Sequence, residues 1–227
     1  MPSLEWLQTA FSYGFDSGDV LSRMPNRRRF FQERKIGGSY REVFQAAVQP
    51  YLRPNSVVLE IGPGRGSWSR AILRQIPEGT LYTADYLDTD PWLQPERYNG
   101  RLISHRVQDN SFRQFRDGQF DFFWSFGVLC HQNPHQIVEI LTNSLKKMRL
   151  GGVAIHQHGD WEKLDAYGWK RGKVPEAFKH TPNEQIWWPR NSRQQMVRAA
   201  TDAGWTVLSE DLGLLKRDGM ICLRRDR

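Results

Sequence analysis

Residues 57–68, Val-Val-Leu-Glu-Ile-Gly-Pro-Gly-Arg-Gly-Ser-Trp, constrain the chain more than any other stretch. A β-branched and aliphatic run passes through Glu60. Gly62, Gly64 and Gly66 then fall at every second position, and a helical pattern opens at Ser67. That order is strand, tight turn, helix. Glycines there let the backbone take left-handed angles and lie against a ligand with no Cβ in the way. Glu60, at the mouth of the strand, adds a carboxylate that suits a polar or cationic ligand group.

Beyond the turn the pattern alternates. Apolar runs at 56–61, 80–84, 102–107, 120–125 and 153–158 read as strands, and 67–75 and 134–148 as helices; Ile137, Ile140, Leu141, Leu145 and Met148 share one helical face. Near-continuous apolar strands between helices imply a parallel sheet covered on both sides. The end differs. A helix at 192–203, closed by Gly204, precedes strands at 205–208 and 220–223 that read as an antiparallel hairpin, with 212–215 extending one arm. Upstream, Tyr40, Val43, Phe44, Ala47, Val48, Tyr51 and Leu52 set out an amphipathic helix that Pro54 ends. Residues 1–38 read as a helical cap, with Leu4, Leu7, Phe11 and Phe15 at helical spacing, and 160–190 as an insertion without clear period. One domain over 1–227 is expected.

The formal charge of +7 favours anionic partners in general. It is clustered, with Arg23, Arg27, Arg28, Arg29, Arg34 and Lys35 in one stretch and Lys170, Arg171 and Lys173 in another. Such runs more often form a solvated helix face or loop than a phosphate or nucleic-acid contact. Cys130 and Cys222 sit in apolar contexts, which fits buried thiols in a reducing compartment better than a disulfide framework. No run approaches a membrane span, and the start Met1-Pro2-Ser3-Leu4-Glu5-Trp6 lacks a secretory pattern, so a cytoplasmic location without membrane attachment is expected.

From Tyr40 to its end the chain resembles the class I S-adenosylmethionine-dependent methyltransferases. The likeness rests on Glu60 with the glycine turn and on Asp85, which ends the second strand about twenty residues on. It rests also on Val107-Gln108-Asp109-Asn110-Ser111 after the third strand, Ser125-Phe126-Gly127 after the fourth, and the terminal hairpin. The resemblance implies an α/β, Rossmann-like, seven-stranded, mostly parallel sheet of strand order 3-2-1-4-5-7-6, and S-adenosylmethionine as cofactor. It implies that Gly62, Gly64 and Gly66 lie along the amino-acid part of that cofactor, with Glu60 near its ammonium group. Asp85 would accept from the ribose hydroxyls, Tyr86 pack on the adenine, and Asp109 and Asn110 meet the adenine edge. Ser125, Phe126 and Gly127 would contact the methionine part. Asp109 also fits an Asx turn, and Phe122, Phe123 and Trp124 read as core.

Methyl transfer to oxygen or nitrogen is an in-line displacement, in which the protein mainly positions the reactants and a base helps a hydroxyl nucleophile. His131, after the fourth strand, and His158, at the mouth of the fifth beside Asp160, are the candidate catalytic bases; His156 shares the face of His158 but lies deeper. His-x-His with an acid is also a metal-ligand pattern, but satisfied pocket groups fit it better and no metal is expected. Residues 160–190 are the candidate substrate lid. There Trp169, Phe178, Trp187 and Trp188 offer flat surface, and Lys170, Arg171, Lys173, Lys179 and Arg190 offer charge for a phosphate or carboxylate.

The expected activity is O-methylation of a polar small molecule: a sugar, a nucleotide-linked sugar or another anionic metabolite. RNA or protein methylation is the alternative raised by the basic excess. Ser125-Phe126-Gly127-Val128 opposes it, standing where a base-methylating Asn-Pro-Pro-Tyr-like motif would be. The G-x-G-x-G spacing and the hairpin oppose an NAD-dependent oxidoreductase. A non-catalytic cofactor-binding module would keep the same turn. The oligomeric state is open.

Overall fold

The computed structural model describes residues 16–227. The helical spacing at Leu4, Leu7, Phe11 and Phe15, and with it much of the expected cap, lies outside the described residues. Five parallel strands form at the apolar runs: Val57–Ile61 (β1), Thr80–Asp85 (β2), Leu102–Arg106 (β3), Phe120–Ser125 (β4) and Met148–Gly159 (β5). In β1, Val58, Leu59, Glu60 and Ile61 are all buried, because helices cover both faces of the sheet centre. Thr206–Ser209 (β6) and Asp218–Arg224 (β7) complete the sheet. β7 runs antiparallel between β5 and β6, which gives the order β3-β2-β1-β4-β5-β7-β6. This is the expected order.

Several boundaries differ from the sequence pattern for local reasons. β5 begins at Met148, because Gly151-Gly152 does not turn the chain. Gly151 takes φ 78°, and the register with β4 shifts between Phe120 and Phe122 before pairing resumes at Val153. The stretch 40–51 is not one α-helix. It passes from α over Tyr40–Val43 to π over Phe44–Val48 and to 3-10 over Gln49–Tyr51. Gln49 N–H donates to Phe44 O across the wide turn, and Pro50 has no N–H to continue an α ladder. The segment 212–215 runs beside β7 through Leu212 N–H to Met220 O but forms no strand.

The labelled helices are Arg27–Ile36 (α1), Ser67–Gln75 (α2), Pro134–Leu145 (α3), Trp161–Tyr167 (α4) and Arg193–Asp202 (α5). α1 contains much of the arginine cluster. Its Arg29 is buried, donating to Glu33 at 2.8 Å and to the carbonyls of Asp19 and Ser22, so this cation serves the fold. Asn133 and Gln136 close a capping box at the start of α3. One face of the sheet packs Val58, Phe122 and Trp124 against α2 and the segment 40–51. The other packs Leu59, Phe123, Ala154 and Ile221 against α3 and α5. A smaller cluster of Cys130, Leu164, Trp169, Val174 and Trp188 gives residues 160–190 a core of their own.

Candidate active site

The ends of β1, β4 and β5 open onto a cavity of about 420 Å³. Gly62 N–H donates to Ala84 O at 3.0 Å, which pins the glycine turn to β2. Gly62, Gly64 and Gly66 have φ of 64°, 57° and 78°. A Cβ on Gly62 would come within 2.3 Å of Val128 Cγ2, so the turn has no room for a side chain there. Gly62 and Gly64 line the cavity; Gly66 instead stands at the head of α2. Glu60 lies behind the turn, fully enclosed, and accepts from Ser69 Oγ at 2.6 Å. Burial pushes its carboxyl up to about 7, against the opposing pull of Ser69 and Arg70.

On one side of the turn stand Asp85, Tyr86, Asp109 and Asn110, all on the cavity wall. Asp85 Oδ1 accepts from Leu87 N–H at 2.9 Å, and Tyr86 donates its hydroxyl to Asn110 Oδ1 at 3.0 Å. Asp109 forms the Asx turn with Ser111 N–H and pairs with Arg113 at 2.7 Å. Hydrogen bonds from Ser111 and then Arg113 hold its carboxyl down at about 2. Val107, Phe112 and Ile140 line an apolar wall beside them.

Beyond β4 the expected residues separate. Phe126, Gly127 and His131 line the cavity. Ser125 does not: it is buried and bonds His156 Nδ1 at 2.8 Å. His156 also meets the Phe123 ring edge-on, and burial pushes its ring down to about 3. His158 is not on the cavity wall either. It is wholly buried, with Nδ1 against Gly159 O at 2.9 Å and its ring where a Cβ on Gly219 would be, 2.4 Å away. Asp160, its neighbour, caps α4 through Glu162 N–H and Lys163 N–H. Of the two candidate bases, only His131 reaches the cavity. Among the described residues, no group of three or more His, Cys, Asp or Glu side chains could hold a metal ion.

Residues 160–190 divide in a way the sequence does not foretell. Trp187 and Trp188 line the cavity, while Trp169 and Phe178 pack within the segment. None of Lys170, Arg171, Lys173, Lys179 and Arg190 lines it. Arg190 donates to the carbonyls of Phe178, Lys179 and Thr181, and Lys179 pairs with Asp165 and Glu176. The cavity's cations are Lys35, from α1, and Arg217, from the approach to β7. Sequence reading missed Arg217, although Arg217-Asp218 places opposite charges at the entry to an apolar strand. Arg217 pairs with Asp218 at 2.7 and 2.8 Å. Asp218 also accepts from Gln157 Nε2 at 2.6 Å, and Gln157 Oε1 accepts from Gly127 N–H at 2.7 Å. The cavity floor is thus tied from β4 across β5 to β7.

A glycine cradle that a Cβ would fill, a buried acid behind it, acids at the ends of β2 and β3 and an apolar wall between them fit a nucleoside carrying an amino-acid group. With this sheet order, they define the class I S-adenosylmethionine-dependent methyltransferases. A family model described as a methyltransferase domain matches residues 26–210, and the chain belongs to that family. No curated protein sequence matches it. Three solved structures illustrate the likeness of fold. The 1,6-didemethyltoxoflavin-N1-methyltransferase of Burkholderia thailandensis, with bound S-adenosylhomocysteine, is 16% identical over 76% of this chain and 72% of its own, with TM-score 0.55. The geranyl diphosphate C-methyltransferase of Streptomyces coelicolor A3(2), also with S-adenosylhomocysteine, is 14% identical over 97% and 95%, with TM-score 0.62. An S-adenosylmethionine-dependent methyltransferase of Aquifex aeolicus is 12% identical over 81% and 93%, with TM-score 0.56. S-adenosylmethionine is the cofactor of this class. Among the described residues no helix is long and apolar enough to cross a membrane.

Proposed function

We propose that the protein methylates a hydroxyl oxygen of a polar small molecule, with His131 as the base. The observation that carries this reading is the setting of His131: it lines the cavity, and its Nδ1 stands 2.6 Å from Trp187 O. A carbonyl oxygen only accepts, so the ring proton belongs on Nδ1 and the lone pair on Nε2. Burial pushes the ring down to about 4, with Lys35 and Arg217 acting the same way and the Trp187 carbonyl opposing, so the imidazole is neutral at pH 7. Bound S-adenosylmethionine supplies a methyl group on a sulfonium sulfur, which keeps the S–C electron pair as a neutral thioether. An acceptor oxygen forms the C–O bond with its lone pair while its proton passes to His131 Nε2, and the Trp187 carbonyl steadies the charged ring through Nδ1–H.

For the cofactor, the proposed contacts are the Gly62–Gly64 backbone for the amino-acid part, with the Glu60 carboxyl enclosed behind that turn and off the cavity wall, and Phe126 with the Gly127 backbone beside it. Asp85 would take the ribose, and Tyr86, Asp109 and Asn110 the adenine. Gly66 and Ser125 would support these contacts from behind, as helix head and as the partner of His156. His158 has no part in the base role, because it is packed away from the cavity.

His131→Asn is expected to bind the cofactor like the wild type and to turn over about 10²- to 10⁴-fold more slowly. Calorimetry with S-adenosylmethionine and an acceptor screen with its labelled methyl group read the two quantities. Undiminished turnover would remove His131 from the reaction. The neighbours include enzymes named for carbon and nitrogen methylation, and a label found on either atom by NMR of the product would overturn the hydroxyl assignment.

A further inference from the structure

Lys35 lies in the last turn of α1, and two backbone hydrogen bonds set that turn beside Arg217. Lys216 N–H and Arg217 N–H both donate to Ile36 O, at 3.1 Å each. Both cationic side chains line the cavity, together with His131, Trp187 and Trp188. Their charges are not equally balanced. Arg217 has Asp218, and its guanidinium lies 4.3 Å from the Trp188 ring centroid. Lys35 has no carboxylate within ion-pair distance among the described residues. Burial, and then Arg217, hold its ammonium below the ordinary lysine range, as a cation lacking a counter-ion requires. Two cations and one carboxylate leave the corner a single positive charge.

We propose that Lys35 and Arg217 form the anchoring subsite for a carboxylate carried by the methyl acceptor. The proposal rests on the reading of this cavity as a methyltransferase site and names the class of molecule it takes. The donors suit the group. Of the five guanidinium N–H bonds, Nε and one from Nη2 go to Asp218 and one from Nη1 goes to Gly172 O. One N–H on each terminal nitrogen is left for a ligand oxygen, and Lys35 adds three donors on a flexible stem. One net positive charge matches a carboxylate better than a phosphate near its second ionisation. The sheet order places the subsite apart from the cofactor's nucleoside end. Asp85 ends β2 and Asp109 follows β3 on one side of β1, whereas Arg217 precedes β7 on the other. An acid held there would have its remaining atoms beside His131 and between the lid tryptophans. Such an anion would also offset the charge of Lys35, one of the groups that depresses His131.

The test is calorimetric, on the full chain loaded with S-adenosylhomocysteine. Benzoate is the probe, chosen for a carboxylate on a flat ring, with benzamide as its neutral counterpart and inorganic phosphate as the competing anion. The expected result is benzoate binding at least about tenfold tighter than benzamide or phosphate. It should fall to the benzamide level in Lys35→Gln and recover in Lys35→Arg, as one charge-assisted hydrogen bond is lost and restored. S-adenosylhomocysteine affinity should be equal in all three proteins. Benzoate binding indifferent to Lys35 would overturn the subsite, and tighter phosphate binding would overturn the carboxylate. Failure of S-adenosylhomocysteine to bind would count against the methyltransferase reading of the cavity instead. Benzoate titrated into the unloaded chain would then still read the Lys35 dependence.

Discussion

Gly62 and Gly127 both have positive φ, 64° and 75°, yet a methyl group would do different things at each. At Gly127 an added Cβ meets nothing within 4 Å, so alanine costs only the left-handed backbone, about 1 kcal/mol. At Gly62 the same backbone cost comes with a contact of 2.3 Å to Val128 Cγ2, on a residue that also faces the cavity. The turn must open or Val128 must move into the space beside it. Gly62→Ala is therefore expected to lose about 1–3 kcal/mol of stability and at least tenfold in S-adenosylmethionine affinity, the latter because the cradle itself is displaced. Gly127→Ala should keep most of the stability. Thermal unfolding and calorimetry on the two variants check this. Wild-type cofactor affinity in Gly62→Ala would mean that the Gly62 backbone is not part of the cradle.

At the scale of elements, residues 160–190 show how much a sequence can and cannot say. Arg190 holds the carbonyls of Phe178, Lys179 and Thr181, and its guanidinium lies 4.8 Å from the Trp161 ring centroid. Arg190→Met keeps the stem but frees those carbonyls. It should loosen 178–190, raise the KM for acceptor several-fold through Trp187 and Trp188, and leave cofactor affinity alone. Faster amide exchange confined to 178–190 would be the signature, and an unchanged KM would detach the lid from acceptor binding. Composition alone assigns this arginine to a ligand, because nothing local reveals that its own carbonyls need it. By contrast, β1, the glycine turn, α2, β4 and the closing hairpin are legible, since period and turn chemistry are local properties. Asp85, Asp109 and His131 follow from their positions after strands. His158 carries the same signal as His131, but its burial depends on β7, which lies far along the chain. Lys35 and Arg217 meet only because α1 docks on the approach to β7, and no spacing within either segment announces it.

For the whole molecule, acid stability depends on buried groups whose protonation the fold resists in opposite directions. His156 is neutral in the fold down to about 3, whereas an unfolded histidine takes up a proton near 6.5. Below 6.5 the unfolded chain therefore binds more protons than the native one, and stability falls by about 1.4 kcal/mol per pH unit until the native ring titrates. Glu60 works against this. Its native carboxyl keeps a proton up to about 7, whereas the unfolded one releases it near 4.5, so the fold gains stability as pH falls from 7 to 4.5 and nothing further below. Glu60 offsets one such group over that window, but His131, held down to about 4, adds a loss of the same slope, and His158, which burial also pushes down, acts in the same direction. The unfolding midpoint should thus decline from pH 6.5 to 4.5, with Glu60 removing part of the slope. It should then fall more steeply, by about 3–6 °C per unit from His156 alone. Glu60→Gln removes the compensation without removing the shape, so its midpoint should start the steep fall at 6.5. Thermal melts of the two proteins across pH 7 to 4 decide the matter. Parallel curves would show that Glu60 titrates in the native state as it does in the unfolded chain, and would overturn the raised native carboxyl.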